Sequence, residues 1–171
     1  TTVGIVGAGT MGAGIAICAL DAGLQVILLE QDEAALLRGA QRVSDHYAGR
    51  VTAGKMKATV AAANEARLSP TTDWSQFSSV DMVIEAVFED LAVKIEVFKK
   101  IDTHTRAETV LATNTSYLDV DAIANATSRP QDVLGLHFFS PANVMKLLEV
   151  VRGTQTAPDV LATGMALGRT L

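Results

Sequence analysis

A chain of 171 residues, 49% hydrophobic and 19% charged, is long enough to fold as one domain around a sizeable core. Its net charge of −5 leaves no basic stripe to neutralise phosphates, which argues against nucleic acid as a main partner. No apolar run of about eighteen residues appears, and the first residues lack the basic flank and cleavage pattern of a signal peptide. We therefore expect no membrane partner and a soluble protein in a reducing compartment, the cytoplasm. The single cysteine, Cys18, cannot close an internal disulfide and is expected as a small buried hydrophobe.

The chain opens on Thr1, and a short apolar strand, Val3 to Val6, begins almost at once. Gly7, Gly9 and Gly12 follow in the spacing G-x-G-x-x-G, and a helical run continues through Ala13 to Ile17. In that pattern the first glycine permits a tight turn and the second lets a phosphate approach the backbone. The third brings the helix close to its strand. The unpaired N–H groups and positive end of the helix then face an anion. A strand before the glycines and a helix after them is the context in which this motif binds a dinucleotide. A second strand, Gln25 to Leu29, ends at Glu30, eighteen positions after Gly12. A carboxylate there suits the hydroxyls of an adenosine ribose and repels a 2′-phosphate; Gln31, Asp32 and Glu33 offer that phosphate no cation. NAD is thus expected over NADP.

From Glu33 to about Ala53 the pattern predicts a helix with a stripe through Leu36, Leu37, Val43 and Tyr47. Residues 54 to 66 read as a second helical piece entered at Gly54, with Lys55 and Lys57 solvated. Leu68 to Thr71 is extended but not placed, and Trp74 to Phe77 is expected as a turn whose aromatics cap the core. Asp81 to Ala86 reads as a buried strand, followed by a helix from Leu91 to about Thr103 with a stripe at Leu91, Ile95, Phe98 and Ile101. Glu89 and Lys94 flank the start of that helix, and Asp90 and Lys94, four apart, could be only a surface ion pair. Val110 to Ala112 is the next strand, ending at Thr113-Asn114-Thr115-Ser116. A helix near Asp119 to Ala126 leads to the strand Val133 to Leu136, which ends at His137. Met145 to Val151 is expected to return as a strand, and Pro158 to Leu171 as a helix. With no strand after that helix, we expect a piece of a longer protein.

Strands alternating with helices imply a mostly parallel sheet covered on both faces. In such sheets ligands bind outside the carboxyl ends of the strands. Five strands end at Gly7, Glu30, Glu85 to Glu89, Asn114 to Ser116, and His137, so one rim gathers most of the polar chemistry. His137 is the candidate general acid/base, because imidazole exchanges protons near neutral pH. Glu149 on the returning strand can reach one ring nitrogen and fix the tautomer, leaving the other for substrate. The alternatives are a core histidine bonded to a carbonyl and a surface carboxylate. Ser116 can hold a substrate oxygen and Asn114 a ribose hydroxyl, or the cluster is only a helix cap. His46 and His104 are expected in exposed helical surroundings without a role. No histidine, cysteine and carboxylate cluster has metal-ligand spacing.

Four segments resemble the NAD-binding domain of the L-3-hydroxyacyl-CoA dehydrogenase family: residues 7–12, 85–94, 113–116 and 135–141, the last continuing from Met145 to Val150. The resemblance implies an α/β, Rossmann-type doubly wound domain over residues 1–171, and reversible oxidation of a 3-hydroxyacyl-CoA to a 3-oxoacyl-CoA in fatty-acid β-oxidation or related short-chain metabolism. By position it implies His137 as catalytic base, Glu149 as its partner, and Ser116 in contact with substrate and the nicotinamide side of NAD. It places Gly7, Gly9, Thr10, Met11, Gly12, Glu30, Ala86, Val87, Glu89, Lys94 and Asn114 around the cofactor. It also implies a second, helical domain that closes the substrate cleft and forms a homo-oligomer, for which residues 1–171 have no counterpart. Ser140, where many members carry asparagine, is similar to the dehydrogenase part of multifunctional β-oxidation enzymes. The competing expectation is a non-catalytic NAD-binding or structural protein on this scaffold, as in the family's crystallin relatives.

Overall fold

The computed structural model describes residues 1–171. Seven strands form one sheet: β1 (Thr2–Val6), β2 (Gln25–Leu29), β3 (Leu68–Thr71), β4 (Met82–Glu85), β5 (Val110–Thr113), β6 (Val133–Phe138) and β7 (Leu148–Val151). Their order is β3-β2-β1-β4-β5-β6-β7. The first six run parallel, and β7 pairs antiparallel with β6. This is the doubly wound order of a dinucleotide fold, with its direction reversing between β1 and β4 and an added antiparallel edge.

Seven helices accompany the strands: α1 (Thr10–Asp21), α2 (Glu33–Thr52), α3 (Ala58–Glu65), α4 (Leu91–His104), α5 (Val120–Ala124), α6 (Ala142–Met145) and α7 (Pro158–Thr170). α1, α2 and α7 contribute to a core on one face of the sheet, and α4 and α5 to a core on the other. Central strands are buried on both faces, which is why β1, β4 and β5 read as continuous apolar runs rather than alternating ones. α1 is buried along nearly its whole length, and its run of glycine, alanine and isoleucine suits a helix enclosed between the sheet and other helices. None of the helices is long and apolar enough to cross a membrane.

Several local expectations are corrected. Leu68–Thr71 is the parallel edge strand β3, beside β2. Leu37 is exposed while Leu36, Val43 and Tyr47 are buried, so the α2 stripe is narrower than predicted. The expected turn at Trp74 is there, a 3₁₀ turn over Trp74–Ser79 with Phe77 buried and Trp74 half-buried against the core. The returning strand is shorter than predicted because residues 142–145 are helical and the chain turns at Lys146, whose φ is +34°. Lys55 and Lys57 are exposed as expected.

Candidate active site

The carboxyl ends of β2, β1, β4, β5 and β6 lie in that order along one rim. They carry, in turn, Glu30, the glycine turn, Ala86 to Glu89, Asn114 to Ser116, and His137. Glu30 and His137 stand four strands apart, roughly 19 Å at the ~4.8 Å interstrand spacing. A cleft of about 530 Å³ occupies the β2–β1–β4 half, lined by Gly7, Gly9, Thr10, Met11, Glu30, Ala86 and Val87 among others. His137, Ser116 and Asn114 lie outside that cavity, on the β5–β6 half of the rim.

The turn from β1 into α1 requires its glycines. Gly7 has φ +101°, and a Cβ there would sit 2.7 Å from the Ala86 carbonyl oxygen. A Cβ on Gly12 would fall 1.7 Å from the Gly7 carbonyl oxygen, so α1 packs directly on the turn. At Gly9 an added Cβ meets nothing within 4 Å: this glycine borders open space. Gly9 also caps α1 without any side-chain bond, so the helix's first N–H groups have no side-chain acceptor. The Glu30 carboxylate accepts hydrogen bonds from the Ala8 N–H at 3.0 Å and from its neighbour Gln31 at 2.9 Å. An open, uncapped helix N-terminus beside a carboxylate fits a pyrophosphate followed by a ribose.

At the other end, His137 on β6 stands directly opposite Glu149 on β7. Directly opposed residues share a sheet face. His137 Nδ1 lies 3.5 Å from Glu149 Oε2, with the histidine 17% and the glutamate 57% exposed. The nitrogen makes no aligned hydrogen bond, so this is a close approach across the ladder rather than a formed bond. The Phe139 ring packs against the imidazole with centroids 4.5 Å apart. Asn114 Oδ1 accepts from the Phe138 N–H at 2.8 Å, which ties the end of β5 to the strand carrying His137. Asn114 is therefore not the cap of α5; Asp119 accepts from Asp121 N–H and fills that place.

Between these ends is a cluster of rim residues whose mutual pairing the spacing does not show. Asp90 and Lys94 form no surface pair: Asp90 caps α4 through the Val93 N–H, and Lys94 points inward, 2% exposed. Lys94 Nζ lies 2.5 Å from Glu85 Oε2, and Glu85 is fully buried. Glu85 also accepts from the Val87 N–H at 2.8 Å and the Thr113 hydroxyl at 2.7 Å. Glu89 sits 3.8 Å from Lys94 and accepts from the Thr115 hydroxyl, the Ser116 N–H and the Ser116 hydroxyl. Burial pushes the Glu89 carboxyl up, but those hydrogen bonds and the Lys94 charge outweigh it and hold its pKa below the usual glutamate value. Two signals were available. Glu85 interrupts an apolar strand run, and Lys94 falls four and seven positions before Phe98 and Ile101 on the buried stripe of α4. His46, expected exposed, has its Nε2 buried without a partner. His104 stacks on Trp74.

These features define a dinucleotide-fold α/β domain with a histidine–glutamate pair at the rim. The chain belongs to the 3-hydroxyacyl-CoA dehydrogenase, NAD binding domain family, whose model matches residues 2–171. It is 42% identical over 165 residues to the peroxisomal bifunctional enzyme of Danio rerio, covering 96% of this chain and 22% of that protein. It is 43% identical over 160 residues to 3-hydroxyadipyl-CoA dehydrogenase of Escherichia coli, covering 94% of this chain and 34% of that one. The crystal structure of E. coli 3-hydroxybutyryl-CoA dehydrogenase superposes with a TM-score of 0.96 at 41% identity, over 99% of this chain and 36% of that chain. Residues 1–171 thus span about a fifth to a third of the length of these relatives.

Proposed function

We propose that the protein containing this chain oxidises L-3-hydroxyacyl-CoA thioesters reversibly to 3-oxoacyl-CoA with NAD. The observation that carries this reading is the placement of the His137–Glu149 pair on the same rim as the glycine turn and Glu30. NAD, when bound, supplies the hydride acceptor. Gly7, Gly9, Thr10, Met11 and Gly12 cradle its pyrophosphate, Glu30 takes the adenosine ribose, and Ala86 and Val87 line the cleft between. Asn114 and Ser116 serve the nicotinamide end, with Glu89 and Lys94 beneath.

His137 accepts the substrate's hydroxyl proton at Nε2 as the C3–H bond breaks and the carbonyl forms. Glu149, facing Nδ1, favours the tautomer that leaves Nε2 free and then stabilises the imidazolium. The imidazolium steadies the developing carbonyl oxygen, and in the reverse direction it returns the proton. The relatives' names support CoA thioesters as the substrate class: the E. coli relative is a 3-hydroxyadipyl-CoA dehydrogenase. A helical second domain in the longer protein closes the cleft and joins two copies. For the compartment the proposal is the cytoplasm, although the Danio rerio relative is a peroxisomal enzyme.

The test is His137→Ala in the full-length protein. Turnover should fall by roughly 10²–10⁴-fold, the range for a lost general base, while NADH affinity stays unchanged. Undiminished turnover would remove His137 from the chemistry. NADH binding without any turnover in the unmutated protein would favour a non-catalytic role.

A further inference from the structure

The chemistry assigned to His137 leaves unused the chain that runs from buried Glu85 and Lys94 to half-buried Glu89. Its geometry is specific. Lys94 Nζ bonds Glu85 at 2.5 Å and the Val87 carbonyl at 3.2 Å, with Glu89 Oε1 3.8 Å away. Its ammonium is thus directed into protein at 2% exposure. Glu89, in turn, has both oxygens occupied: Oε1 by the Thr115 hydroxyl at 2.7 Å, and Oε2 by the Ser116 N–H and hydroxyl, each at 2.9 Å.

An ionised carboxylate only accepts hydrogen bonds, so the Ser116 hydroxyl must donate its one proton to Glu89. What Ser116 then offers on its exposed side is lone pairs. We infer that Glu89, held by Lys94, is a positioning residue that fixes the Ser116 hydroxyl as a hydrogen-bond acceptor on the exposed rim. Ser116 accordingly takes a hydrogen bond from a ligand hydroxyl, on the nicotinamide ribose or at C3 of the substrate, and gives none to a ketone. Steadying the carbonyl oxygen falls to His137 alone. This rests on the proposed function, which puts Ser116 in contact with ligand. Thr113 and Thr115 complete the device from β5 and its loop: one hydroxyl anchors Glu85 and the other Glu89, so two layers of carboxylate hold the serine from below.

The test is a double-mutant cycle in the full-length protein with Glu89→Gln, Ser116→Ala and the pair, read as kcat and KM for acetoacetyl-CoA reduction by NADH. Glu89→Gln keeps the shape but can donate, which releases the serine proton. It should lower kcat/KM by roughly ten- to a hundredfold, the scale of a misplaced contact group. In the Ser116→Ala background the same change should have almost no further effect, because it acts through the serine. Additive losses, or no loss from Glu89→Gln, would overturn the inference. If Glu89→Gln does not fold, Glu89→Asp carries the same cycle, since it keeps the charge but withdraws the carboxylate. Equilibrium binding then reads the polarity: Ser116→Ala should weaken NADH (a ribose hydroxyl) or 3-hydroxybutyryl-CoA on the NADH complex (the C3 hydroxyl) by roughly two- to tenfold, the worth of one hydrogen bond. A loss confined to acetoacetyl-CoA would show a donor and overturn it. An unmutated protein that neither binds nor oxidises NADH would instead fail the proposed function itself.

Discussion

Replacing Lys94 by methionine isolates the least exposed charge pair in the site. The lysine is 2% and Glu85 0% exposed, so solvent screens neither, and removing one partner leaves a buried carboxylate without its counter-charge. Breaking such a pair costs about 3–5 kcal/mol. Glu85 keeps two hydrogen bonds, from Val87 N–H and the Thr113 hydroxyl, which places the cost near the lower end, about 3 kcal/mol. For a domain of this size 1 kcal/mol moves Tm by about 2–4 °C, so Lys94→Met should melt roughly 6–12 °C below the parent chain. The assay is thermal unfolding followed by far-UV circular dichroism, with urea titration to give the free energy. The paired variant Glu85→Gln/Lys94→Met removes both charges and should recover to within about 1 kcal/mol of the parent, because a neutral pair carries no stranded charge. A single variant that melts like the parent would refute the reasoning, as would a pair that loses the sum of both single effects.

Three further outcomes follow from named contacts. Glu30→Ala should weaken NADH more than NADPH in calorimetric titrations, since the carboxylate favours ribose hydroxyls and repels a 2′-phosphate; a parent chain that already prefers NADPH would contradict this. Gly39→Ala in α2 should weaken NADH and lower Tm. The added Cβ would lie 2.4 Å from the Ala8 carbonyl oxygen, and overpacking against backbone at about 1–3 kcal/mol outweighs the ~1 kcal/mol that alanine gains in a helix; unchanged NADH affinity would count against a tight α2–turn contact. Burial, aided by Asp21, pushes the Cys18 thiol up to about 11, so almost no thiolate exists at neutral pH. Iodoacetamide should leave Cys18 intact in the folded chain and react as pH approaches that value, followed by mass spectrometry; prompt alkylation near neutrality would refute it.

What could be read from the residues was whatever depends on local pattern. Apolar runs punctuated by glycine gave the strands and crossovers, and the carboxyl-end rule put Glu30, Ser116 and His137 on one rim before any coordinates. The edge strand Leu68–Thr71 was not legible, because two of its four residues are exposed and Pro70 reads as a breaker. The Glu85–Lys94 pair was missed for a different reason. Spacing along α4 shows which residues share a face, not which way a long side chain turns; it offers Lys94 its helix neighbour Asp90, whereas the strand carboxylate Glu85 is the partner. Gly39 carried no signal at all, since its role is to admit Ala8 from a segment more than thirty residues away. The direction of the Ser116 proton likewise depends on Glu89 across the rim.

We propose that this rim carries hydride exchange between NAD and a 3-hydroxyacyl thioester. Acetoacetyl-CoA-dependent loss of NADH absorbance in the full-length protein, beside an NADPH control and a free acetoacetate control, tests it most directly. NADH should be consumed with the thioester, NADPH slowly or not at all, and neither with the free acid. Consumption that is equal for thioester and free acid, or that runs on NADPH alone, would contradict it.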